Sequence, residues 1–170
     1  MLDKATEFIR SIAAKEDPRS FSLFGKSGTG KTHLAMNMYR FIYANLRAYQ
    51  RPLSDIDPEY TITDLHNVRF ASWPDVCRQL RNGTGDRLFN DLCRHWFVVI
   101  DDIGAEYESD AMMANLTELA DQRLGKWTIY TSNKTVDYYD EKDERFASRL
   151  FRHNGIVLEI TSVEDYNRRS

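Results

Sequence analysis

Residues Gly25-Lys26-Ser27-Gly28-Thr29-Gly30-Lys31-Thr32 set Gly25, Gly30, Lys31 and Thr32 in the order GxxxxGK[ST], with a further glycine at 28, directly after the apolar run Phe21-Ser22-Leu23-Phe24. Glycines at such positions let a backbone curl until successive N–H groups point inward, which builds a cradle for an anion. The helix expected next, Thr32 to Tyr49, carries Leu34, Met38, Phe41, Ile42 and Leu46 at helical spacing and adds the positive end of its dipole. A strand, such a loop and a helix in succession fit the phosphates of ATP or ADP. In that reading Gly25 through Thr32, with His33 beside them, line the nucleotide. Lys31 reaches the β- and γ-phosphates, and Thr32 helps to hold Mg2+.

The rest of the 170 residues would then have to complete one domain, since a chain of this length has room for one proper core. Apolar residues at 42% and charged residues at 29% are those of a water-soluble globular chain, and no apolar run approaches bilayer thickness. The start, MLDKATEFIRSIAAKED, lacks the basic opening, apolar centre and cleavage site of a secretory signal, so a cytoplasmic protein without membrane contact is expected. Cys77 and Cys93 are too few for a disulfide scaffold, and no Cys/His spacing suggests zinc. A net charge of −3 exerts no global pull on nucleic acid, so any such contact must be local.

Strands and helices alternate along the chain. Leu2, Ala5, Ile9, Ile12 and Ala13 share one face of a lead-in helix that ends near Asp17-Pro18. From about 50 to 67 the sequence has no sustained period and reads as a surface excursion. Val68 to Ser72 is a second strand, and Pro74 opens a helix that follows it. After the turn Asn82-Gly83-Thr84-Gly85 comes a further helix, Asp86 to Arg94. Trp96 to Ile100 reads as a strand buried on both faces, stopping at Asp101-Asp102. Ser109 caps a helix ending near Gly125, Trp127 to Thr131 is a strand, and a charged helix from about 140 to 152 leads to a last strand, Ile156 to Ile160. The expected architecture is α/β: a P-loop NTPase core with a five-stranded parallel sheet sandwiched by helices.

An apolar strand that ends in two acids, downstream of a phosphate loop, supplies the second half of an ATPase site. Asp101 would hold Mg2+ opposite Thr32, and Asp102 would polarise the attacking water. Asn133 ends the next strand, and in an open parallel sheet neighbouring carboxyl ends face one crevice, so its amide reaches the γ-phosphate or the water. Acid pairs also close ordinary turns, and Ser-Asn also forms ordinary loops.

The segments GKSGTGKT, FVVIDDIGAE, YTSN, RFASRL and the closing VEDYNRR together resemble the AAA+ ATPases, within them the DnaC/DnaI/IstB group of helicase loaders and transposition helpers. The likeness runs over nearly the whole chain. It implies an AAA+ domain over 20–170 after a lead-in helix over 1–19, with a helical insertion over about 73–95. It also implies an arginine finger acting on a neighbouring subunit, with Arg149 as the finger and Arg145 as its companion. A head-to-tail assembly of this chain with itself, a replicative helicase as partner, and single-stranded DNA gripped through Arg78, Arg81 and Arg87 follow from the same resemblance. Arg94 and three aspartates leave that insertion with one surplus positive charge, and Trp73 and Phe89 beside the arginines either stack bases or belong to the core.

One feature departs from the group: the chain begins shortly before the phosphate loop, where loaders usually carry a helicase-binding domain. Few residues follow Ile160, which leaves no room for the helical lid of many AAA+ proteins, and that suits the loader group. Other readings stand beside helicase loading: a transposition helper or initiator-like ATPase, a nucleoside or nucleotide kinase, and a nucleotide-gated binding module with little turnover. The last arises because Asp102 is shorter than the glutamate that usually positions water.

Overall fold

The apolar strands are parallel neighbours in one sheet, and their side chains divide it into two faces. A computed structural model of the chain describes residues 1–49, 68–104 and 109–160, with side chains 46–49 left aside. In chain order the elements are α1 (Leu2–Ala13), β1 (Ser20–Gly25), α2 (Lys31–Tyr49), β2 (Val68–Ser72), α3 (Trp73–Arg81), α4 (Asp86–Arg94), β3 (Phe97–Ile103), α5 (Asp110–Gln122), β4 (Trp127–Ser132), α6 (Val136–Lys142), α7 (Glu144–Phe151) and β5 (Ile156–Ile160). The strand order is β2-β3-β4-β1-β5, with every pair parallel. The five-stranded parallel sandwich expected from the sequence is therefore present.

Alternation along the strands sorts the core. Phe21, Leu23, Phe97, Val99 and Ile129 pack against α1 and α2, whereas Phe24, Val98, Ile100 and Tyr130 pack against α3, α4, α5, α6 and α7. Continuous apolar runs are needed because both faces are covered by helices. Phe8 of α1 lies against Phe21 and edge-on to Trp127, with ring centroids 5.2 and 5.3 Å apart, so α1 shares the core of β1 and β4.

Several expectations need correction. The buried face of α1 is Ala5, Phe8, Ser11 and Ile12, and Leu2 is 69% exposed, because the stripe that meets the sheet is centred on Phe8. In α2, Leu34, Met38 and Ile42 are buried, but Phe41 lies on the outer face and is exposed. The charged helix splits into α6 and α7 at Asp143, whose extended backbone frees its carboxylate to accept from the N–H groups of Arg145 and Phe146. Trp73 is buried in the core, so it offers no stacking surface, and Phe89 packs partly against the same core.

The largest correction concerns β3. It does not stop at the acids but runs through Asp101 and Asp102 to Ile103, with a bulge on the way. The extra residue shifts the alternation by one, so Ile103 returns to the same core face as Ile100 while Asp102 stays half-buried at the surface. The excursion over 50–67, the side chain of Leu46, Ala105 and Glu106 of the acidic motif, and the closing VEDYNRR lie outside what is described.

Candidate functional site at the carboxyl edge of the sheet

All parallel strands end on one side, and the phosphate loop follows the end of β1 there. Gly25 occupies φ +123, and a Cβ on it would lie 2.3 Å from the carbonyl oxygen of Ile160 in β5, so only glycine lets the loop leave the sheet at this point. Its N–H donates to the carbonyl of Lys134 at 3.1 Å, which ties the start of the loop to the turn after β4. Gly28 and Gly30 also have positive φ, and a Cβ placed on Gly30 would meet no atom within 4 Å beyond its chain neighbours, so there is open space beside it. Lys26, Ser27, Thr32 and His33 are exposed around that opening. The first turn of α2 carries no acid to oppose an anion at its end.

Lys31 is 5% exposed. Its Nζ donates to the carbonyls of Gly25 at 2.7 Å and Lys26 at 2.6 Å, and lies 3.3 Å from the Thr29 hydroxyl. Burial draws its pKa below the usual lysine range, while the charges of Asp102 and Asp101 pull the other way. Burial also raises the carboxyl of Asp102 above the ordinary aspartate range, with the neighbouring Asp101 adding to the rise and Lys31 opposing it. The two acids thus face the loop lysine across the end of the sheet.

Neighbouring strand ends fix the acids. Asp101 is 7% exposed, and its Oδ1 accepts from the Thr131 hydroxyl at 2.6 Å. Asp102 takes a left-handed conformation, φ 63, which a short polar side chain tolerates better than most. Its N–H donates to Thr131 Oγ1 at 2.9 Å, and its Oδ1 accepts from Asn133 Nδ2 at 2.7 Å. The hydroxyl of Ser132 donates to the carbonyl of Ile103 at 2.8 Å and accepts from the N–H of Lys134 at 3.0 Å. The structure therefore brings the phosphate loop, Asp101, Asp102 and Asn133 to one edge. A magnesium ion prefers hard oxygen donors and accepts few from the protein, and the exposed Thr32 hydroxyl with the Asp101 carboxylate fits that demand.

Arg145 and Arg149 are elsewhere. Leu150 of α7 receives a hydrogen bond from Ser20 at the start of β1, which places the end of α7 at the opposite, amino edge of the sheet. Arg149 donates through Nε and Nη2 to the two oxygens of Asp121 at 2.5 and 3.3 Å, and Arg145 approaches the same carboxylate at 3.9 Å. That hydrogen bond holds Asp121 below the usual carboxylate range. An open cavity of about 600 Å3 lies between α5 and the α6–α7 pair, lined in part by Asp110, Thr117, Asp121, Asp143 and Arg145. It includes no residue of the phosphate loop. Arg78, Arg81 and Arg87 are all exposed on α3 and α4, with Arg78 paired to Asp75 at 2.9 Å.

Sequence reasoning missed Thr131, Ser132, Lys134 and Asp121. Two adjacent hydroxyls at the buried end of a strand were the available signal for the first two. Nothing local marks the other two, because one acts through its carbonyl and the other pairs across 28 positions.

No family model matches the chain, and no curated protein matches its sequence. Solved structures do. A crystal structure of DnaI matches 96% of this chain and 82% of its own at 20% identity, with a TM-score of 0.66. A crystal structure of the DnaC helicase loader matches 95% of this chain and 89% of its own at 19% identity, with a TM-score of 0.61. The replication initiator DnaA, bound to AMPPCP and single-stranded DNA, matches 95% of this chain at 19% identity with a TM-score of 0.65, over 47% of its own length. The chain spans 44% of a DNA replication initiation factor, 48% of AMPPCP-bound DnaA from Aquifex aeolicus and 60% of domain III of DnaA from Thermotoga maritima. Sheet order, phosphate loop and these likenesses agree on the architecture: the chain has the AAA+ fold found in DnaI, in the DnaC helicase loader and in DnaA.

Proposed function

We propose that the chain binds ATP with Mg2+, hydrolyses it slowly, and acts in DNA replication as a helicase loader that assembles head to tail and touches single-stranded DNA. The observation that carries this reading is the convergence of Lys31, Asp101, Asp102 and Asn133 at one edge of the sheet, joined by hydrogen bonds between β3 and β4. Backbone N–H groups of the loop after Gly25, up to Thr32, gather the phosphates, and the Lys31 ammonium meets the charge that grows at the γ-phosphate. Thr32 and Asp101 would hold the ion, which when bound neutralises phosphate charge. Asp102, with a raised pKa, accepts a proton from water, and Asn133 orients both the acid and the water.

The place of Arg149 supports assembly. From the amino edge it cannot serve its own phosphate loop, but it can meet that of a neighbouring copy, and such a finger is worth ~10³ to 10⁵ in rate. Exposed Arg78, Arg81 and Arg87 supply the local positive charge that phosphate contacts need. Sizing the protein with a slowly hydrolysed ATP analogue and single-stranded DNA tests the whole reading. A larger species that requires both the analogue and Lys31 is expected. R149A should bind nucleotide normally and lose the turnover that rises with protein concentration. An R149A protein that hydrolyses like the wild type at high concentration removes Arg149 from the mechanism.

A further inference from the structure

In the β3–β4 ladder Ile100 faces Tyr130 and Ile103 faces Ser132, so Asp101 and Asp102 together stand opposite one residue, Thr131. A bulge of this kind leaves the extra residue without its ladder partner. The Thr131 hydroxyl takes that partner's place. It accepts from the N–H of Asp102 at 2.9 Å and donates its single proton to Asp101 Oδ1 at 2.6 Å. A hydroxyl has one proton to give, so accepting on one side and donating on the other fixes its direction. The side chain is 1% exposed, which keeps water from substituting for either bond.

We infer that Thr131 is a positioning residue for both acids: its hydroxyl sets the plane of the Asp101 carboxylate and pins Asp102 in its left-handed conformation. The inference rests on the reading of Asp101 as the carboxylate that holds Mg2+. Shape alone does not explain the residue. Valine would fill the same space in a buried strand, but it would leave the Asp102 N–H and an Asp101 oxygen buried without partners. Serine would keep both bonds and lose only a methyl group. The same strand end carries Ser132, whose hydroxyl replaces ladder bonds on the far side of the bulge, so the adjacent pair Thr131-Ser132 brackets the two acids.

The test compares wild type, T131V and T131S in two measurements. The first is amide hydrogen exchange at Asp102 in protein without nucleotide. The second is the Mg2+ concentration that half-saturates the enhancement of binding of a fluorescent ATP analogue. T131V should exchange the Asp102 amide at least about tenfold faster and raise the Mg2+ midpoint about tenfold, as loss of a residue supporting a metal ligand does, while analogue binding in EDTA stays unchanged. T131S should restore both within about twofold. T131A carries the same expectations should T131V not yield folded protein. An unchanged Mg2+ midpoint in T131V, or a T131S as impaired as T131V, overturns the inference while the site reading stands. Wild-type protein whose analogue binding ignores Mg2+ overturns the site reading and the inference with it.

Discussion

Two buried cations hang on backbone carbonyls at opposite ends of the sheet, and they differ in where those carbonyls come from. Lys31, at the carboxyl edge, bonds to Gly25 and Lys26, both within its own loop. Arg123, at the amino edge, is 3% exposed and bonds to the carbonyls of Leu92, His95 and Trp127 and to the hydroxyl of Thr128. Burial lowers its pKa to about 10, so it remains charged at neutral pH. Arg123 staples the end of α4, the approach to β3 and the start of β4. Lys31 staples nothing distant, and the two carboxylates that face it are held by Thr131 and Asn133, not by Lys31. Long-range partners make a buried charge structural, and local partners leave it available.

Removing the staple should have the largest effect on stability. R123M would take a charged donor from three carbonyls, two of them buried, at a cost of about 3 kcal/mol, and lower Tm by roughly 6–12 °C. Nucleotide affinity of the folded fraction should not change. Thermal melting beside a binding titration checks both, and a weakened affinity would show that the two edges are not independent.

Asp102 tests the other edge. Its carboxyl is raised by burial, so its charged form is disfavoured in the folded chain. D102N removes that charge at a left-handed position where asparagine is well tolerated. Turnover should fall about 100-fold while Tm holds or rises. The same raised pKa sets the acid limb of wild-type kcat/KM, which reports the nucleotide-free protein. Activity should fall, as pH drops, at a pH above the ordinary aspartate range, because protonated Asp102 cannot accept a proton from water. A limb at the usual aspartate value, or a D102N that retains its rate, removes Asp102 as the base.

These contrasts explain what the sequence disclosed. GKSGTGKT is a local device, so its eight residues announce the loop without help from the fold, and the continuous apolar run before Asp101 announces a central strand. The bulge was invisible because it is defined by register against β4, not by β3 alone. The staple of Arg123 and the pair Arg149–Asp121 were equally hidden, since each joins positions about 30 apart through helices whose packing no local pattern states. The break at Asp143 had a signal, an acid placed to cap the next turn, but it sat inside a charged stretch that reads as one helix.

The smallest effect belongs to Asp121. D121N should weaken its hold on Arg149 but lower Tm by about 2 °C or less, because the carboxylate is partly exposed and screened. Its pKa is depressed in the folded chain, so its stabilising share is present at neutral pH and is lost as pH falls through that depressed value. A much larger drop in melting temperature would place Asp121 with Arg123 among the structural staples.

Calorimetric titration of ATP in the presence and absence of Mg2+, on wild type and K31A, is the most direct measurement. Wild type should take up one nucleotide per chain, more tightly with Mg2+ than without. K31A should keep the wild-type Tm within about 2 °C and bind at least about 100-fold more weakly. Folded wild-type protein that takes up no nucleotide, or a K31A that binds as wild type does, would contradict the account.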